Sequence, residues 1–172
     1  MSNEEIDIEA LKNDKEFQEN LKMLEEEVAT TNSLAKVYQL LDTKLAIKAD
    51  ENEINELFQR VVTDAFEIVS SKIAEGGELD LSNPDEYSAA RAIYEHGIER
   101  YSTNDKSAAQ ELFLALHYLI NHEILKDSLM LHAAAVGKDY SFDDFMSKLT
   151  KVDDIDYNDP VSYTHLTLPT KA

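Results

Sequence analysis

One stretch of this chain, residues 50–69, carries so wide an apolar helical face that it requires burial on more than one side. The apolar side chains recur at intervals of three and four residues, the spacing of one face of an α-helix. They are Ile54, Phe58, Val61, Ala65 and Ile68, with Leu57, Val62, Phe66 and Val69 beside them. A helix with so broad an apolar face needs neighbours on two sides. The pattern therefore predicts that this helix is the centre of a helical bundle.

The rest of the sequence also favours helices. Only four glycines and three prolines occur among 172 residues, so few positions interrupt a helix. We predict an all-α fold, a bundle of about four to six helices over residues 50–152. Clear start and stop signals support this prediction, because capping residues precede the predicted helices and a glycine pair follows one of them. The signals are Asp50 with Glu53, Gly76-Gly77, Asn83-Pro84, and Ser141 with Asp144.

Residues 107–137 are predicted to form one long helix. Ser107 with Gln110 makes a capping box at its start, and Gly137 is the expected end. In the helix before it, Gly97 costs about 1 kcal/mol relative to alanine. A glycine at such a position predicts close contact with another helix.

Residues 1–49 are predicted to form a helical arm or hairpin that packs on the bundle. A helix over residues 4–29 has an apolar stripe, the N-terminal seam, made of Phe17, Leu21, Leu24 and Val28. A second stripe follows in a different phase after residues 30–33, whose Thr, Asn and Ser side chains compete with helix formation. One long kinked helix and two separate helices both remain open.

The charge of the chain restricts its partners. Asp and Glu number 35 against 16 Lys and Arg, a formal net charge of −19. This field repels nucleic acid and anionic membranes and attracts basic proteins.

Cysteine is absent, which excludes disulfides and thiolate chemistry. No apolar run reaches the length of a membrane span, and the first residues do not resemble a signal peptide, so the cytoplasm is the expected location.

One group of residues could carry chemistry. His117, His122 and Glu123 fall on the predicted long helix, and Glu95 falls on the helix before it. Residues five apart lie about 140° apart around a helix, so the two histidines do not easily share an ion. We therefore expect no metal, no cofactor and no catalytic residue, and we keep a helical metal-binding or acid–base enzyme using these four residues as the alternative.

The C-terminal residues differ from all that precedes them. Residues 153–159 read as an acidic linker, and VSYTHLTLPTKA follows at residues 161–172 without a single acid. In one reading frame, residues 161–170 resemble the translation of a transposon adapter used to prepare DNA sequencing libraries. The resemblance implies that residues 160–172 are not native and that the natural C-terminus beyond Asp159 is missing. Such a segment is excluded from reasoning about the fold.

These observations favour a non-enzymatic interaction or regulatory protein. The apolar N-terminal seam lies on a strongly charged helix, so something must cover it. The cover is either the rest of the chain or a second copy, and the expected partners are another protein or the chain itself through self-association.

Overall fold

The structure, a computed structural model, describes residues 8–149. These residues form eight α-helices followed by a π-helical turn, and they contain no β-strand beyond a single bridge. The all-α prediction is confirmed; the eight helices exceed the predicted four to six because three of them precede residue 50, where an arm or hairpin was predicted. The helices are α1 (Ile8–Asn13), α2 (Lys15–Thr30), α3 (Leu34–Ala46), α4 (Glu51–Glu75), α5 (Pro84–Ser102), α6 (Lys106–Leu119), α7 (Glu123–Gly137) and α8 (Phe142–Asp144), and the π-helical turn is Phe145–Leu149.

Most helix ends lie where the sequence places them. Asp50 caps α4 by accepting a hydrogen bond from the Asn52 amide, and Gly76 ends that helix in a left-handed conformation with φ of 66°. Asn83 caps α5 and Pro84 is its first residue. Ser141 caps α8 as predicted. The predicted cap at Ser107 is wrong, because Asp105 occupies the cap position of α6 and accepts from the amide of Ala108.

The centre of the bundle is α5, and the prediction that α4 is central is wrong. Helix α5 packs against α3, α4 and α6, whereas α4 packs mainly against α5 and α3. On α4 only Val61, Ala65 and Val69 are buried; Phe66 is exposed and Phe58 is half-buried against the core. The broad apolar face of α4 therefore covers the bundle from outside.

Small side chains allow α5 to take the central position. Its buried residues include Ser88, three alanines at positions 89, 90 and 92, and Gly97. Gly97 lies against the ring of Phe113 on α6. The Phe113 side chain has no exposed surface. A Cβ at position 97 would come within 2.8 Å of Cε1 of Phe113, so only glycine permits this approach. The predicted role of Gly97 in helix contact is confirmed.

The predicted long helix is two helices. Ile120 leaves the helical conformation at φ −98° and ψ 131°, and the chain turns back so that α7 packs against α6. The amide of Leu79, in the loop before α5, donates to the Leu119 carbonyl at 2.7 Å, and Leu79 forms a bridge with Ile120. A contact with a distant segment thus supports the break.

The described N-terminal helices pack on the bundle, and α3 shares its core. Helix α3 packs against α4 and α5, and five of its residues are buried in the same core as those of α5. Ser33 caps α3 after the break at residues 31–33, so α2 and α3 are two helices. The predictions for residues 153–159 and 160–172, and for the first residues of the N-terminal helix, lie outside the described residues.

We expect Gly97→Ala to destabilise the protein by up to about 2 kcal/mol in urea unfolding. The overpacking against Phe113 costs about 1–3 kcal/mol and exceeds the gain in helix propensity of about 1 kcal/mol. The double variant Gly97→Ala/Phe113→Leu should lose less than the sum of the two single variants. A stabilising Gly97→Ala, or strictly additive effects, would contradict the close helix contact.

Candidate interaction groove

The N-terminal seam is only partly covered by its own chain. Val28 is buried, with 3% of its surface exposed, and Leu21 and Leu24 are partly buried against the core. Phe17, at the other end of the seam, instead lines an open groove. The seam therefore contacts the bundle most closely near its C-terminal end and opens into a groove towards its N-terminal end.

The groove lies between the N-terminal helices α1 and α2 on one side and α3 and α5 on the other, with a volume of about 540 Å³. Apolar and polar side chains both contribute to its walls. The lining residues are Leu11, Phe17, Ala35, Tyr38, Gln39, Asp42, Thr43, Ala46, Ile47, Ser88 and Arg91.

A polar network joins α3 to α5 at the groove. The Arg91 guanidinium donates to both oxygens of Asp42, at 2.7 and 3.0 Å, and its Nε donates to Glu95 at 2.8 Å. The Tyr38 hydroxyl donates to the second oxygen of Glu95. The guanidinium also lies over the Tyr38 ring, 4.1 Å from its centre, so Arg91 is held from three sides. Two carboxylates and one guanidinium leave this network with one net negative charge.

Tyr38 and Arg91 keep their protonation states near neutral pH. Burial, together with the charge and hydrogen bond of Glu95, raises the pKa of Tyr38 far above its ordinary range. Burial alone would lower the pKa of Arg91, but the hydrogen bond to Asp42 and the charge of Glu95 raise it overall. Tyr38 remains a protonated donor and Arg91 a cation. Neither is therefore suited to exchanging protons with a substrate.

Hydrogen bonds to backbone atoms hold the walls of the groove in place. Arg60 on α4 donates to the carbonyls of Val28 and Thr31 at 2.9 Å each, which ties the end of α2 to the bundle. Asp85, in the first turn of α5, accepts from the Ser33 hydroxyl at 2.7 Å and the Ala35 amide at 2.9 Å. The C-terminal end of α2 and the first turn of α3 are therefore fixed to the bundle.

The four residues of the alternative enzyme hypothesis lie in separate surroundings. His117 donates from Nδ1 to the Lys126 carbonyl at 2.9 Å, and His122 caps α7 at the turn from α6. Glu123 lies in the first turn of α7, whereas Glu95 belongs to the Arg91 network. Within residues 8–149, no group of three or more His, Cys, Asp or Glu side chains is placed to hold a metal ion. The geometry therefore gives this hypothesis no support.

His132 is the one buried histidine of the described residues, with 1% of its surface exposed. Its Nδ1 lies 2.7 Å from the Ser128 carbonyl, which can only accept, so Nδ1 carries the proton. Nε2 then accepts from the Tyr94 hydroxyl at 3.1 Å. The rings of Tyr94, Phe113 and Phe145 surround it at 4.8–5.5 Å. Burial lowers the pKa of His132 to about 4, so it is a neutral core residue.

Comparison of the chain with protein-family models, with curated proteins and with solved structures finds no significant match. No helix within residues 8–149 combines the length and apolar character that crossing a bilayer requires. The function must therefore be argued from the groove itself.

Sequence reasoning identified the seam but missed the polar network beside it. Tyr38 and Asp42 are four residues apart on α3, and Arg91 and Glu95 are four apart on α5. This spacing places each pair on one helix face. The opposite charges of Asp42 and Arg91 were a possible signal, but 49 residues separate them, and only the packing of α3 on α5 brings them together.

The buried His132 should make stability depend on pH. Its folded pKa of about 4 lies below the ordinary value of about 6.5, so the unfolded chain binds the proton first as pH falls. The contribution of the neutral His132 to the free energy of unfolding is complete above about pH 6.5. This contribution is lost as pH falls towards 4, and the loss is roughly 3 kcal/mol at most. Between pH 5 and pH 7, the free energy of unfolding in urea should depend less steeply on pH in His132→Gln than in the unsubstituted protein.

Tyr94→Phe is the matched control for this measurement. It removes the hydroxyl that bonds to His132 but keeps the aromatic ring, so the histidine stays desolvated. We expect lower stability at every pH with the original pH dependence retained, because burial is the main cause of the shift. If the free energy of unfolding changed with pH at the same slope in His132→Gln and in the unsubstituted chain, His132 would not titrate as described.

Proposed function

We propose that this protein is a non-enzymatic interaction protein whose groove binds a basic amphipathic helix of a protein partner. The observation that carries the proposal is the incomplete cover of the N-terminal seam, which leaves Phe17 lining an open groove beside a network of net negative charge. The cytoplasm remains the proposed location, as the sequence led us to expect.

The shape of the groove favours a helix over a small molecule. Small-molecule sites usually enclose most of the ligand surface, whereas this groove is open along its length between helices. An amphipathic helix binds such a groove by inserting side chains from one face, at intervals of three and four residues. Leu11 and Phe17, which are half-buried, offer apolar contacts for them.

The charge of the protein favours a basic partner. The chain carries a net charge of −19, and the network of Asp42, Arg91 and Glu95 adds a local negative charge at the groove. The Asp42 and Glu95 side chains are 46% and 38% exposed, so a lysine or arginine on the rim of a bound helix can approach them. Such complementarity accelerates association and makes affinity fall with salt.

Binding of dye-labelled peptides tests this proposal. The probe is a helical peptide with leucines on one face and lysines elsewhere, and the comparison peptides are its sequence-scrambled form and a form with glutamate for lysine. We expect the amphipathic basic peptide to bind more tightly than both, with an affinity that falls as salt rises. Phe17→Ala should weaken this binding about tenfold, because a large apolar contact is worth about 1–2 kcal/mol.

Phe66→Ala is the matched control, since Phe66 is an exposed phenylalanine on α4 that does not line the groove. Its effect should be no more than about twofold by the same conversion. Circular dichroism melting of both variants establishes that the fold is retained. Equal binding of the amphipathic and scrambled peptides, or equal weakening by the two substitutions, would mean that the acidic surface binds basic peptides without using the groove.

A further inference from the structure

Helix α2 is bonded to the bundle near its C-terminal end. The hydrogen bonds and ion pairs that join it to α3 and α4 all involve its last turns and the residue that follows them. They are Arg60 with the carbonyls of Val28 and Thr31, Lys44 with Glu25, and Lys36 with Glu27. Residues 15–24 take no part in these bonds, and in the described part of the chain Gln18 donates instead to a carbonyl of α1.

Arg60 supplies what the end of α2 lacks. The last turn of α2 has no basic residue, and Glu25, Glu26 and Glu27 lie near the negative end of the helix dipole, which they oppose. The Arg60 guanidinium donates to two backbone carbonyls at this end, at 2.9 Å each. A cation bonded to the terminal carbonyls stabilises a helix end. A residue of α4 therefore fixes the point at which α2 ends.

The apolar contacts of α2 weaken towards its N-terminal end. Val28 is buried, whereas Leu21 and Leu24 are only partly buried against the core. Phe17 is half-buried at the groove, and α1, which precedes it, has no buried residue. Segments with few buried apolar contacts open at low cost in free energy. The N-terminal half of α2, together with α1, is therefore held less firmly than the C-terminal end of α2.

We propose that α1 and the N-terminal half of α2 form a hinged jaw, which pivots about the end fixed by Arg60 and closes on the helix bound in the groove. This inference rests on the proposed function, because it concerns how the same groove holds its partner. Phe17 lies about 20 Å from the C-terminal end of α2, at a rise of about 1.5 Å per residue. A rotation of about 10° therefore moves Phe17 by about 3–4 Å. Such a movement presses Phe17 and Leu11 onto the apolar side chains of the partner, whose burial drives the closure.

Arg60 is then a positioning residue for a groove that it does not line. Arg60→Met removes the pivot, so Phe17 loses its defined position opposite α3. We expect this variant to bind the basic amphipathic peptide about fivefold more weakly. Arg100→Met is the matched control, because Arg100 is exposed on α5, does not line the groove and carries the same charge. Loss of a cation alone favours a basic peptide, so the control should bind at least as tightly as the unsubstituted chain.

Distances between pairs of spin labels test the movement itself. The chain has no cysteine, so introduced cysteines can be labelled without background. Glu19→Cys/Leu45→Cys reports the N-terminal half of α2, and Ala29→Cys/Leu45→Cys is the control at its fixed end. All three positions are exposed and lie outside the groove lining. In the free protein the first pair should give the broader distance distribution. The peptide should narrow this distribution and shorten its mean by about 3 Å, and should leave the second pair unchanged.

The outcomes distinguish the hinged jaw from the proposed function. If the peptide binds and Phe17→Ala weakens it, but the Glu19–Leu45 distance does not change, the jaw is wrong and the proposed function stands. Equally narrow distributions for the two label pairs in the free protein, or equal peptide affinities of Arg60→Met and Arg100→Met, would also overturn the jaw. A peptide that does not bind would overturn both proposals. If Arg60→Met does not fold, the label distances decide alone.

Discussion

The close approach of neighbouring helices to α5 is the constraint on which the rest of this structure depends. Small residues on α5 allow α3, α4 and α6 to pack around it, and at Gly97 the ring of Phe113 lies where a side chain would otherwise be. Because α6 is held there, α7 can fold back on it and place His132 against Tyr94 of α5, Phe113 of α6 and Phe145 of the π-helical turn. The interaction groove follows from the same packing, since α3 and α5 form one wall and Arg91 links them.

Local sequence signals predicted the helices well, and long-range packing decided what those signals could not. Asp50, Asn83 and Ser141 cap helices as expected, because a cap depends on atoms within three residues. The break at Ile120 was not predicted, since the bond from Leu79 to the neighbouring carbonyl comes from a loop some 40 residues earlier. The width of its apolar face likewise predicted that α4 is the centre of the bundle. The centre is α5 instead, because its small side chains let neighbouring helices pack closely.

The sequence predicted the candidate site only in part. The seam residues follow from helical spacing alone, but the extent of their burial depends on where α3 and α5 lie. Leu24 and Val28 pack on the bundle while Phe17 faces the groove, and no local pattern distinguishes them.

Native-state hydrogen exchange tests most directly whether residues 8–149 share one core centred on α5. The account predicts that buried amides of α3, such as Val37 and Leu41, and of α5, such as Ile93, exchange only through global unfolding. Their opening free energies should therefore be equal and should fall with urea at the same slope as the equilibrium transition. Exchange of the α3 amides through a smaller, urea-insensitive opening, while Ile93 stays protected, would show that the N-terminal helices are a separate arm and would contradict the account.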